Sequence, residues 1–192
     1  MARPKTYDRQ EAIERACHAF WIHGYTALGV RELEKLTGLN KFAIRSEFGG
    51  KEGLYLEALR YYTDAADTMV LAPMRTGGIE TIDAFFEGLV TEGCANSSPW
   101  GCLIVNTGIE NAELRRPALK AASDAYWTAL AKHFDEALHR SIEAGEIDPT
   151  LNVDEASRGL VTAVMGVHTM NRVSSAHDAG ASLVNMVRDL IK

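Results

Sequence analysis

Lys41 and Arg45 stand four residues apart in the run "LNKFAIRSEF", a spacing that puts both cations on one face of a helix. A guanidinium there can make a bidentate contact to guanine, and an ammonium can reach guanine or a phosphate. Phe42, between them, is apolar at an otherwise exposed position, suited either to a thymine methyl or to packing on an earlier helix. Asn40 precedes the run as an N-cap. Lys51 follows Gly49-Gly50 and opens another helix. Unpaired backbone N–H groups and a cation together suit a phosphate there. Tyr25 and Thr26, in an earlier Gly-Tyr break, are placed to touch the same phosphate backbone.

Other chemistries find little support. The chain lacks G-x-S-x-G, P-loop and H-E-x-x-H patterns, so no enzyme and no cofactor is expected. The six histidines are scattered, and none pairs with a carboxylate at metal-ligand spacing. Glu110 and Glu113 share a helix face and read as solvated surface. Cys17, Cys94 and Cys102 are few, odd in number and without zinc spacing, which favours reduced thiols.

The charge is unevenly placed. Residues 1–53 balance at +2 and residues 54–192 at -8, within a net charge of -6. A mildly basic start on an acidic body fits nucleic acid contacted at one end only. The polar opening "MARPKTYDRQ" has no apolar signal-peptide core, and no apolar run is long enough for a membrane span. A cytoplasmic location is expected.

These residues need helices to position them, and helical periodicity runs throughout. The pattern predicts a helix from about Asp8 to Gly24, then one over Val30–Leu36 with Val30, Leu33 and Leu36 inward. "TGL" turns, with Gly38 left-handed, and a third helix covers about Lys41–Phe48. A fourth runs from Lys51 to Pro73 and a fifth over about Ile79–Gly93. "CANSSPW" is a loop. A short helix follows over about Gly101–Asn111, and a long one from Pro117 to Gly145, with Leu119, Ala122, Tyr126, Leu130, Phe134, Ala137 and Leu138 inward. The last two cover about 154–173 and 179–191. The fold class is all-α, with eight or nine helices.

The combination "F-x-x-x-G-Y", "V-R-E-L", "T-G-L-N-K" and "F-G-x-K-E-x-L" over about residues 8–60 resembles the N-terminal domain of the TetR family of transcriptional regulators. The resemblance implies a helix-turn-helix DNA-binding domain over residues 1–50. A helical ligand-binding and dimerisation domain would follow over 51–192. It also implies a homodimeric repressor on a palindromic double-stranded DNA operator, released by a small-molecule inducer. The last two helices would form a four-helix dimer interface. Two acidic residues depart from the family's pattern: Glu34, where a small residue is usual, and Glu47 in the reading helix. Phosphates would repel Glu47 unless it reads a cytosine amine or pairs with a base such as Arg45. If they impair binding, the alternative is a helical dimeric adaptor that has lost its operator.

Aromatic and polar residues of the second half mark a candidate ligand pocket: Phe85, Phe86, Trp100, Cys102, Asn106, Tyr126, Trp127, Met165 and His168. Each also fits an ordinary helical core. "WGCLIVN" resembles a stretch in one branch of the family, some members of which respond to reactive electrophiles. A Cys102 on the first helical turn would feel the helix dipole, which lowers a thiol pKa. The two readings of Cys102 are an electrophile sensor, with Cys94 as partner, or a small buried apolar residue.

Overall fold

Asp8 starts the first helix by accepting a hydrogen bond from the Glu11 amide (2.8 Å). The computed structural model describes residues 7–191; the polar opening of the chain, residues 1–6, lies outside them. Among the described residues there are nine α-helices and no strand. They are α1 (Arg9–His23), α2 (Val30–Thr37), α3 (Lys41–Phe48), α4 (Lys51–Ala66), α5 (Ile79–Gly88), α6 (Leu103–Leu114), α7 (Pro117–Glu143), α8 (Val153–Ser174) and α9 (Ala181–Leu190).

Three boundaries differ from the periodic pattern. The fourth helix does not continue unbroken to Pro73. After Ala66 it widens into a π turn over Asp67–Leu71, then tightens over Ala72–Arg75. The fifth stops at Gly88 rather than Gly93. Asn96 folds back from the following loop and its Nδ2 donates to the Phe85 carbonyl (2.9 Å), which closes the last turn. The sixth begins at Leu103, with Cys102 as its N-cap.

Helix α2 corrects the expected inward set. Leu33 is fully buried, but Val30 and Leu36 are 39% and 43% exposed. At 3.6 residues per turn they flank Leu33 by about 60° on either side. Only a single row of this short helix is covered.

The apolar interior gathers in two clusters. The first runs from Ala12 to Leu119 and joins α1–α4 to α6 and the start of α7. The second holds Leu71 to Val187, from the two turns after α4 and from α5, α7, α8 and α9. The first cluster does not stop at residue 50. Phe20, Tyr25 and Tyr55 form its aromatic centre, with centroids 4.6 and 4.9 Å from Tyr55, distances at which edge and tilted ring pairs attract. The Tyr55 hydroxyl meets Thr107 Oγ1 (2.7 Å), tying α4 to α6. Burial of the long helix follows expectation at Leu119, Leu130, Phe134, Ala137 and Leu138; Ala122 and Tyr126 are only partly covered.

Candidate nucleic-acid interface and the cavity behind it

The turn between α2 and α3 closes with Gly38 at φ +75°, a conformation cheap only for glycine. Asn40 Oδ1 accepts from the Ala43 amide (2.9 Å). Glu34 Oε1 accepts from the Lys41 amide (2.7 Å). The unusual Glu34 is therefore a second cap on α3, where a carboxylate also suits the helix dipole. Glu47 is likewise engaged inside the head, where the Tyr7 hydroxyl donates to it. Burial and that carboxylate push the Tyr7 phenol up to about 12.

With both carboxylates so placed, the outer face of α3 is left to Lys41, Phe42 and Arg45, all exposed. Phe42 is 72% exposed with Lys41 Nζ 5.3 Å from its ring centre. It does not pack on α1. Helix α4 begins three residues after the end of α3, with no side-chain cap. The Lys51 ammonium lies 4.3 Å from the Tyr25 ring centre, and partial burial lowers its pKa.

Tyr25 differs from expectation. Tyr25 is 5% exposed, covered by Lys51 and by the Arg116 guanidinium (5.6 Å). Its amide donates to Glu110 Oε1 (3.1 Å). The Thr26 amide and hydroxyl both donate to Glu110 Oε2 (2.8 and 2.9 Å). Tyr25 is turned toward the body of the protein, whereas Thr26 stays exposed at the surface while bonded to Glu110. Glu110 is not plain solvated surface: it gathers three donors from the α1–α2 break. Gly24 (φ +82°) precedes them, and a Cβ there would land on the Glu110 carboxylate. Arg116 adds an ion pair with Glu52 at the start of α4. Arg172 of α8 donates to the Trp21 and Trp100 carbonyls (both 3.0 Å), a cation at the C-terminal end of α1, where the helix dipole favours it.

Behind these contacts lies a cavity of about 170 Å³ bordered by α1, α4 and its wide turn, α5, α7 and α8. Of the nine residues expected at a pocket, it brings together Phe85, Tyr126 and His168. The others are elsewhere. Phe86 is fully buried and stacked on Phe134. Trp100 packs edge-on to Trp21 and His18. Asn106 Nδ2 donates to the Trp100 carbonyl (3.1 Å). Trp127 leans on the Tyr126 ring and Met165 packs between the two cores.

Cys102 is 2% exposed. The amides of Ile104 and Val105 and the Tyr62 hydroxyl act to lower its pKa, but burial outweighs them and the net shift is upward. The expected dipole effect exists and loses to desolvation. Cys102 is a buried free thiol. Cys17 lines the cavity, and burial pushes its thiol up to about 12.

The family model for the "Tetracyclin repressor-like, C-terminal domain" matches residues 78–187, more than half of the chain. The chain belongs to the TetR family. It is a DNA-binding transcriptional regulator, as are its named relatives. It is 32% identical to the HTH-type transcriptional repressor ComR of Escherichia coli (strain K12) over 107 residues. That match covers 54% of this chain and 51% of ComR, so it spans about half of the relative. It is 24% identical to the HTH-type transcriptional repressor AcnR of Corynebacterium glutamicum over 97% of this chain and 94% of AcnR. In fold it is similar to CifR, a TetR-family regulator solved with a 26 bp operator DNA (TM-score 0.78, 20% identity, 99% of this chain and 98% of that one).

Sequence reasoning missed part of this regulator's cavity lining: Trp21, Tyr61, Tyr62, Ala65, Ala66, Met69 and Val70. A signal was present. Tyr61 and Tyr62 are each followed four residues later by alanine, a bulky side chain beside a hole on one helix face. Glu110 carried no comparable mark, because its donors lie more than eighty residues away in sequence.

Proposed function

We propose that residues 1–50 read an operator and residues 51–192 sense a small molecule and dimerise, making a cytoplasmic repressor. Helix α3 enters the major groove with Lys41 and Arg45 on base edges and Phe42 against a thymine methyl or sugar. Asn40 lies beside the sugar-phosphate backbone, and Lys51 with the uncapped start of α4 holds a phosphate. The observation that carries this reading is the exposed Lys41–Phe42–Arg45 face followed by a helix start that no side chain caps. The repressor names of ComR and AcnR and the operator complex of CifR support it. The adaptor alternative rested on Glu34 and Glu47, and both are engaged within the head.

Dimerisation through α8 and α9 is supported by an open apolar groove of about 940 Å³, bordered by Ala156, Gly159, Ala163, Leu183, Met186 and Leu190 among others. Val164, Val167 and Val184 of the same two helices lie in the subunit's own core. The inducer occupies the cavity. A ligand that binds one head spacing better than the other shifts the population away from DNA.

The test is a gel shift with the full-length protein on DNA flanking its own gene. Binding is expected at low salt and should weaken steeply as salt rises. R45A should cost about 1–3 kcal/mol and relax specificity at one position, whereas K51A should weaken all sequences alike. No retarded band at low salt, or an R45A protein that binds as well as the parent, overturns the reading.

A further inference from the structure

We propose that the cavity behind the reading head is a receptor site for a neutral, single-ring molecule bearing a hydroxyl, with His168 as its hydrogen-bond partner. Size comes first. At about 170 Å³ the space compares with an apolar cavity of about 150 Å³ that accepts benzene. A single ring fits with room to spare, and a second fused ring crowds it.

Charge comes second. The lining has no Lys, Arg, Asp or Glu. A carboxylate or ammonium ligand would be stripped of water with no counter-charge, at a cost a small ligand cannot offset.

The polar group comes third. His168 lines the cavity, is 5% exposed, and its Nδ1 has no hydrogen-bond partner. Such a buried polar atom in a native interior calls for a partner. Burial keeps the ring neutral, with a pKa lowered to about 4. A neutral imidazole offers one N–H and one bare nitrogen. A hydroxyl both donates and accepts, so it satisfies the ring in either tautomer. An ether can only accept, so it satisfies one tautomer alone. Cys17 and Tyr61 line the same space, but the raised Cys17 thiol is a poor nucleophile. Binding is therefore reversible, without covalent chemistry.

The site itself stands on this cavity; only its effect on DNA rests on the inducer reading above. The experiment is titration calorimetry on the full-length protein with phenol, toluene, benzoate and 1-naphthol. Phenol is expected to bind, toluene about tenfold more weakly, the fold-change of one neutral hydrogen bond. Benzoate should give no measurable heat, and 1-naphthol should bind more weakly than phenol. H168L should erase the preference for phenol over toluene, and H168Q, which keeps a donor and an acceptor, should retain most of it. No phenol binding at millimolar concentration, benzoate or naphthol binding as tightly as phenol, or an unchanged preference in H168L each overturns the proposal. A parallel gel shift separates the two claims. Phenol that binds as expected yet leaves the operator complex intact removes the inducer role and leaves the site standing. A protein that retards DNA but binds none of the four probes removes the site and leaves the regulator.

Discussion

Glu110 sets the chemistry of the head-body junction at the scale of one residue. Its two oxygens receive three donors, two of them main-chain amides of Tyr25 and Thr26. Hydrogen bonds to an ionised acceptor are each worth about 1.5–3 kcal/mol when well formed, and neighbours are not additive. E110A is therefore expected to lower stability by about 2–4 kcal/mol, with E110Q losing less because it keeps one acceptor. Amide hydrogen exchange is the sharper check: Tyr25 and Thr26 should lose protection in E110A, while amides in the middle of α7 should not. Protection unchanged at both positions would mean the carboxylate is incidental. The same residue shows what residue types alone conceal. Its role depends on a contact across eighty-odd positions, and no local pattern distinguishes it from Glu113. Glu34 is the opposite case. It looked like a defect in the family's pattern, and it caps the reading helix.

At the scale of elements, periodicity carried most of the fold. The all-α class, the helix-turn-helix and the long helix from Pro117 were legible because long apolar stripes and capping residues leave a regular trace. What was illegible came from tertiary contacts. Asn96 ends α5 early, a single covered row exposes Val30 and Leu36, and the π turn after Ala66 widens α4 at the cavity wall. The candidate pocket was legible in part, because aromatic residues at helical spacing mark core and cavity alike. Helices α8 and α9 show the same ambiguity: Val164, Val167 and Val184 are buried in the subunit, and small residues such as Ala156, Gly159 and Ala163 border the open groove. Gly159 makes a clean probe, since a Cβ there meets nothing within 4 Å. G159R should fold with unchanged helix content yet weaken self-association roughly a hundredfold, the scale of a central interface residue. Sedimentation velocity at micromolar concentration checks it; a G159R dimer as stable as the parent would place the interface elsewhere.

At the scale of the whole molecule, a neutral buried histidine links the fold to pH. His168 has a folded pKa of about 4, against about 6.5 when exposed. Between those values the unfolded chain binds the extra proton. Stability is thus complete above about pH 6.5 and falls as pH drops toward 4, by on the order of 3 kcal/mol. No carboxylate lines the cavity to reverse the sign. Urea midpoints measured from pH 7 to 4 should decline in the parent and more shallowly in H168Q; parallel declines would assign the acid sensitivity to other groups.

The first hydrophobic cluster has a consequence for how this protein can be taken apart. Phe20, Leu33 and Ile44 of the head share one interior with Leu54, Tyr55, Leu103 and Ile104. Cut after residue 50, the head would carry a bare apolar flank into water. It is not a cassette that can be grafted onto another sensor by its sequence limits alone. A working chimera must bring α4 and α6 along with the head, or rebuild the surface they cover, and in doing so it inherits the Glu110 latch as well.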